Sequence, residues 1–543
     1  MRLSEGDIFH IVDSAKAERS NWETHWEEIA ELVLPRHIGF QGEQTKGAKR
    51  NQKIFDSRPE IALERFGSVM DSLLTPRQTL WHNLQTTDRL LNKDPEVKAW
   101  FYEVNKVLFA SRYAPKANFA SQNYERWIST GAFGTGVLFI DYDSNTGLRY
   151  RTIHLKDLYM MENHQGVVDT IFRNFNFTAR QAVQKWGEDK VPEKIKKAYE
   201  NPTTRNKEFA FIHAVMPRDD YDETRADAKG MPWASLYLAV DDKVMMEESG
   251  YHSWPYSISR YVTAPGEVYG RSPAMLALAD INMLQEMNKT DIRASHKAIS
   301  PPILVNDDGV LGGGMKIDLR PDAVIPGGID QNGRPTVQRL DMGARLDISD
   351  VKMEQRRKSI EDAFLMSLFQ ILVDTPRMTA TEALIRAQEK GMLLTPTVGR
   401  QQSEALGPLI EREIDLLMRA DKLPPLPQAL IDAGGEYEVI YDSPMSRMQR
   451  AEELVGVQRT MELLAPFAQM DPSILDIFNP DELGRGTAEV SGVPSPMIRT
   501  PDQVKQVREA RAQQQQQQQM IDAAKPVAGA LKDAASANQL LTG

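Results

Sequence analysis

Several groups of residues in this chain have the types and spacing that chemistry requires. Asp219, Asp220, Asp222 and Glu223 crowd carboxylates onto one polar stretch. Such a cluster could hold a divalent cation and support metal-dependent hydrolysis, and it is equally the composition of a solvated loop. Asp141, Asp143 and Asn145 place oxygen ligands at alternate positions, as a calcium loop begins. Glycine then falls one place late, at Gly147, and Thr152 stands where a bidentate Glu is needed, so a hairpin is expected. Gly131, Gly134 and Gly136 precede a strand, the reverse of the dinucleotide-binding order, which makes them turn residues. Lys289, Arg293 and Lys297 recur every fourth residue and share one helix face. That face is either simply solvated or one wall of a channel that meets phosphates through modest, salt-sensitive contacts.

Other signatures are missing. There is no G-x-x-x-x-G-K-S/T run to support a P-loop ATPase, and no G-x-S-x-G elbow to support a serine hydrolase. The nine histidines are scattered, with no two at helical ligand spacing. The absence of cysteine removes disulfides, thiolate metal sites and cysteine nucleophiles together, and fits synthesis in a reducing cytoplasm. No metal site and no cofactor is expected.

The elements that must position the basic stripe are a helix, an insert and a second helix. The first helix opens after Tyr269-Gly270-Arg271-Ser272-Pro273 and runs to about Ile299, where Ser300-Pro301-Pro302 stops it. Leu276, Ala279, Met283 and Met287 give it an apolar face, expected to point inward. The insert is β-rich and studded with turn signals at Asp307-Asp308-Gly309, Gly312-Gly313-Gly314, Pro326-Gly327-Gly328 and Asn332-Gly333. A return helix from about Ile348 repeats Ile360, Phe364, Leu368 and Leu372 every fourth residue.

Upstream, the spacing of Trp22, Trp26, Ile29 and Val33 predicts a helix ending at Leu34-Pro35-Arg36. A second, capped near Asp56-Ser57, should bury Ala62, Phe66, Val69 and Leu73, and a third follows Asp94-Pro95 with Val97, Trp100, Val104 and Val107 inward. Strands are expected over 137–143, 148–154, 167–177, 209–216, 235–240 and 243–247, and again over 436–441. Thr379 and Glu382 have capping-box spacing for a helix to Lys390, and another long helix spans about 398–419. The remainder is helical and increasingly polar, through Gln513–Gln519 to an Ala-rich end.

At 543 residues, 41% hydrophobic and 26% charged, the chain can bury several cores. No apolar run approaches the roughly 20 residues of a membrane span, and the N-terminus lacks the apolar stretch of a signal peptide. A net charge of −11 argues against tight gripping of nucleic acid over the whole surface, though not against loose contact.

Ordered blocks carry a family likeness. They are Trp26-Glu27-Glu28-Ile29-Ala30 with Leu34-Pro35-Arg36, then Ile54-Phe55-Asp56-Ser57 through Ser72-Leu73-Leu74-Thr75-Pro76, and Trp81. Tyr269-Gly270-Arg271-Ser272-Pro273-Ala274 and Thr379-Ala380-Thr381-Glu382-Ala383 follow. Last come Gly399-Arg400 with Glu404, Pro408-Leu409-Ile410-Glu411-Arg412, and Tyr437-Glu438-Val439 before Ser443-Pro444. Over roughly residues 20 to 450 the chain resembles the portal, or head-to-tail connector, proteins of short-tailed, podovirus-type bacteriophages.

The resemblance implies an α+β, mainly α, fold with wing, helical stem, β-rich clip and helical crown. The wing would take residues 1–266, the first stem helix 267–300, the clip 301–347 and the second stem helix 348–372. A tunnel loop and wing helices would take 373–444, and a crown or partly disordered tail 445–543. It also implies a non-enzymatic homo-oligomer, a ring of about twelve subunits at one capsid vertex. Double-stranded DNA would be packaged and ejected through the ring without sequence preference. Its partners would be the large terminase, major capsid and scaffolding proteins, and tail adaptor and internal core proteins, with no membrane. The location would be the virion, and the host cytoplasm during assembly. In that frame Lys289, Arg293, Lys297 and Arg377 are the candidate DNA-channel residues. The rival readings are an internal or injection structural protein of the virion, built on the helical C-terminus, and a metal-dependent hydrolase using Asp219 to Glu223.

Overall fold

The structure is a computed structural model. It describes residues 5–42, 45, 47–299, 303–305, 332–334, 337–339, 346–366, 396–441, 456–457, 459–466, 477, 479–490, 497–499 and 503–516. In chain order the helices used below are α1 (Glu5–Val33), α2 (Arg58–Leu74), α3 (Pro95–Arg112), α4 (Phe119–Phe133), α5 (Ala179–Trp186), α6 (Glu193–Glu200), α7 (Pro273–Ile299), α8 (Leu346–Ala363), α9 (Gly407–Arg419), α10 (Gln428–Asp432) and α11 (Pro480–Val490). The strands are β1 (His82–Gln85), β2 (Thr135–Asp143), β3 (Gly147–Ile153), β4 (Leu158–Glu162), β5 (Val168–Thr178), β6 (Glu208–Pro217), β7 (Trp233–Ala239), β8 (Val244–Tyr251), β9 (Tyr256–Arg260), β10 (Ile303–Val305), β11 (Val337–Arg339) and β12 (Glu438–Tyr441). The fold is mixed, as expected, with helices and antiparallel sheets. The chain divides into two compact units, residues 1–81 with 107–423, and residues 82–106 with 424–543.

In the first unit a five-stranded antiparallel sheet runs β4-β5-β6-β7-β8. Period-two alternation sends side chains to its two faces. Tyr159, Phe172, Ile212, Ala214, Leu236 and Leu238 meet the first turns of α1 at Ile8, Val12 and Ala15. Phe209, Phe211 and Ala239 meet Ala182, Trp186 and Ile195 of α5 and α6. The Thr178–Gln181 capping box that starts α5 satisfies backbone donors at that end. A three-stranded sheet, β3-β2-β9, holds the hairpin read from Asp143 to Gly147. Strands β4 and β9 and helices α5 and α6 lay outside the sequence reading.

Helix α4 is the central correction. The glycines read as a turn instead close a helix and open a strand. Gly131 lies inside α4, Gly134 ends it in the left-handed region at φ 79°, and Gly136 already belongs to β2. A Cβ on Gly131 would sit 2.6 Å from Cδ1 of Phe66, so glycine sets how closely α2 and α4 pack. The α2 face is also rotated from expectation: Ala62, Leu63, Phe66, Met70 and Leu74 are buried, while Val69 and Leu73 are only half-buried.

In the second unit β1 pairs antiparallel with β12, His82 opposite Tyr441. Val97, Phe101 and Val104 of α3 are buried, and the Trp100 indole donates to the Pro424 carbonyl (3.1 Å).

Candidate functional site

The two long helices expected to bracket an insert are α7 and α8, and they pack against each other. Between them β10 pairs antiparallel with β11, Ile303 opposite Arg339, which returns the chain to α8. Most of the insert, Leu368 and Leu372, the helix expected from Thr379 to Lys390, and Arg377 lie outside the described residues.

Helix α7 buries a different face from the one its spacing first suggested. Ala274, Ala277, Ile281 and Leu284 are at most 3% exposed and pack inward. Leu276 is 79% and Met283 49% exposed, Ala279 is exposed, and Met287 is half-buried. Both sets recur at helical spacing, so periodicity alone admits two apolar stripes, and tertiary packing chooses between them. On α8 the expected Ile360 is buried, joined by Met353, and Phe364 is buried in the turn just past its end at Ala363, short of the expected helix to 372.

Polar contacts lace the pair together. Asp56 Oδ2 accepts from Nε (3.0 Å) and Nη2 (2.8 Å) of Arg357 on α8 and from Nδ2 of Asn288 on α7 (3.0 Å). Gln285 fixes the backbone beneath it: its Oε1 accepts from the Phe55 and Asp56 amides (2.6 and 2.9 Å), and its Nε2 donates to the Asp56 carbonyl (2.8 Å). Asp280 accepts from Arg356 (2.8 Å) and Ser359 (2.7 Å), and Arg58 pairs with Glu361 (3.0 Å). Burial works against the charge of Arg357, and the hydrogen bonds and charge of Asp56 outweigh it, raising its pKa. Asp56 therefore does more than the capping expected of it, where its Oδ1 accepts from the Arg58 amide (2.8 Å). The signal was present in sequence only as amide side chains at Gln285 and Asn288 beside a run of basic residues.

Of the expected channel residues, Lys289 and Arg293 lie one turn apart on α7. Lys289 Nζ is 2.7 Å from Glu286 Oε1 and 5.9 Å from the centre of the Phe55 ring, whereas Arg293 is exposed. Lys297 is carried by the same helix. The Glu286 partner tempers the positive charge, so any phosphate contact at Lys289 is weakened.

The acidic run does not converge on a cation. Asp220 pairs with Lys229 (2.8 Å) and lies 3.6 Å from Arg218. Asp222 accepts from Thr224 (2.6 Å), and Glu223 is exposed. The hydrogen bond from Lys229 holds the Asp220 carboxyl below its ordinary range. Among the described residues no group of three or more histidine or acidic side chains is arranged to hold a metal ion. No described helix is long and apolar enough to cross a membrane.

The sequence matches the family of bacteriophage head to tail connecting proteins over residues 6–498. It is 30% identical over 509 residues to the probable portal protein of Bordetella phage BPP-1, covering 92% of this chain and 89% of that one. It is 27% identical over 511 residues to the portal protein of Salmonella phage epsilon15, with the same coverage. Among solved structures, a chain from the virion of a native gene transfer agent particle aligns at TM-score 0.37 and 10% identity, over 86% of this chain and 100% of that one. A superposition that loose adds nothing to the assignment. The chain belongs to the bacteriophage head to tail connecting protein family.

Proposed function

We propose that the chain closes into a ring of about twelve copies at one capsid vertex, through which double-stranded DNA enters during packaging and leaves at infection. The observation that carries this reading is the laced α7–α8 pair bracketing an insert, in a chain of the portal family. The wing is then residues 1–266, the stem 267–300 and 348–372, and the clip 301–347, which meets the large terminase and later the tail adaptor. The tunnel loop and remaining wing helices take 373–444, and residues 445–543 form the crown, toward the internal core proteins. Major capsid and scaffolding proteins surround the ring.

A conduit works by avoiding tight contact. Each phosphate neutralised by Lys or Arg releases counterions and adds affinity, hence a barrier to sliding. An acidic subunit keeps the duplex near the axis, and a few cations, Lys289, Arg293, Lys297 and Arg377, lower the barrier along it. The test is native mass with negative-stain imaging. A particle of about twelve 61.3 kDa subunits with a central hole is expected. A compact monomer that stays monomeric when scaffolding protein is added would overturn the reading.

A further inference from the structure

We propose that Asn332 is a site of spontaneous covalent modification, its side-chain amide lost to attack by the Gly333 backbone nitrogen, which leaves aspartate and isoaspartate in the insert between α7 and α8. Asn332-Gly333 is the one place in the 543 residues where glycine follows asparagine. Both residues are exposed, and so is Arg334. Gly333 stands in the left-handed region at φ 76°, and a Cβ built there would meet nothing within 4 Å among the described residues. Open space lets the chain reach the geometry that ring closure needs, and the missing side chain leaves the attacking nitrogen uncrowded.

The reaction consumes only water. With its proton lost to hydroxide, the Gly333 nitrogen bonds to Cγ of Asn332; the bond from Cγ to Nδ2 breaks, and Nδ2 takes up a proton and leaves as ammonia. Water then opens the five-membered imide. Breaking the bond from Cγ to the ring nitrogen gives aspartate; breaking the bond from the backbone carbonyl carbon to that nitrogen gives isoaspartate, with the chain rerouted through the side chain. Either product exchanges a neutral amide for a carboxylate. Other asparagines are placed less well. Asn145 is also exposed in a turn, but β-branched Thr146 follows it. The Asn163 Oδ1 accepts from the amides of Gln165 (2.9 Å) and Val167 (3.1 Å). The Asn92 side chain is held by both backbone groups of Thr86 (3.0 and 2.7 Å).

The chemistry stands whatever the chain assembles into. Its consequence rests on the ring reading, in which residues 301–347 dock the motor and later the tail: a carboxylate that appears with time beside Arg334 changes the charge of that surface. The purified chain is held at mildly acidic and mildly alkaline pH, native and in denaturant. Conversion at each asparagine is followed by peptide mass spectrometry, with isoaspartate counted by enzymatic methyl transfer. Conversion at Asn332 many-fold faster than at Asn145, faster in alkali, and slowed many-fold by Gly333→Ala is expected, with Asn332→Gln abolishing the signal. Asn332 intact while Asn145 converts, or a Gly333→Ala chain that converts at the parent's rate, overturns the site. Conversion in denaturant alone also overturns it, since the folded turn would then protect the amide. A chain that converts at Asn332 yet forms no ring leaves the site standing and removes only its bearing on docking.

Discussion

His37 and His154 lie 117 positions apart in sequence, yet their ring centres come within 4.6 Å, the planes tilted, beside Phe40 and Phe133. The Lys156 amide donates to Nδ1 of His154 (3.0 Å), which leaves Nε2 to donate to the His37 carbonyl (3.1 Å) and fixes a neutral tautomer. Burial, then the cations Arg36, Lys156 and Arg50, lower His37 to about 4. Burial, His37 and Lys156 lower His154 to about 3. Glu125, 3.9 Å from His37, is the opposing acid. Both folded values lie below the free imidazole's, so the unfolded chain takes up protons first. Stability is whole above about pH 6.5 and is lost as pH falls toward 4, on the order of 3 kcal/mol for His37 alone. The melting temperature of a His37→Gln/His154→Gln chain should therefore fall less than the parent's between pH 7 and 4; parallel curves would refute this. Local spacing could not reveal the pair, because folding and not sequence brings the rings together. The same holds for Arg112 and Glu413, both fully buried, with Nε of Arg112 2.9 Å from Oε1 and the guanidinium 4.5 Å from the Trp81 ring centre. Glu413→Gln leaves a buried cation without its counter-charge and should cost about 3–5 kcal/mol in chemical denaturation. A joint Arg112→Met/Glu413→Leu replacement should recover most of that.

At the scale of elements, β5 to β8 were legible as short runs rich in β-branched and aromatic residues between turn signals, although α1 on one face and α5 and α6 on the other bury both sides and leave little alternation, β6 being buried almost throughout. Helix α4 was hidden by its own polarity. Asn123, Arg126, Ser129 and Thr130 look like a solvated segment but are buried, and each makes a side-chain hydrogen bond inside the protein. Arg126 donates to Ser257 (2.6 Å), Thr130 to Ser259 (2.9 Å), Ser129 to the Thr135 carbonyl (2.8 Å) and Asn123 to Asp71 (2.7 Å). A hydropathy pattern cannot distinguish polar groups satisfied inside from polar groups satisfied by water. Gly131 decides how near α2 can come. Gly131→Leu should overpack the contact with Phe66 and Leu63 and destabilise by about 1–3 kcal/mol. A denaturation midpoint equal to the parent's would show that the helices part without penalty. In α7 both stripes were legible, and their assignment was not, since that depends on what the rest of the unit places beside the helix.

For the whole molecule, the family likeness was carried by short blocks that, in the described residues, cluster where elements meet. Tyr269 to Ala274 leads into α7, Ile54 to Ser57 meets Arg357 and Asn288, and Pro408 to Arg412 opens α9. The candidate channel positions were legible as a periodic basic stripe; the Glu286 contact that tempers Lys289 was not. Replacing Lys289, Arg293 and Lys297 together with Ala should alter DNA packaging or retention, more at low ionic strength than at high. Packaging and retention indistinguishable from the parent at both salt levels would remove these residues from the channel. The pairing of β1 with β12 has a consequence in time. His82 emerges from the ribosome long before Tyr441, and Arg112 long before Glu413. Neither the small sheet nor the buried pair can form until most of the chain has been synthesised, so both are late, long-range closures. A chain cut short before Glu413 can complete neither closure, and one cut short before Glu438 leaves β1 without its partner strand.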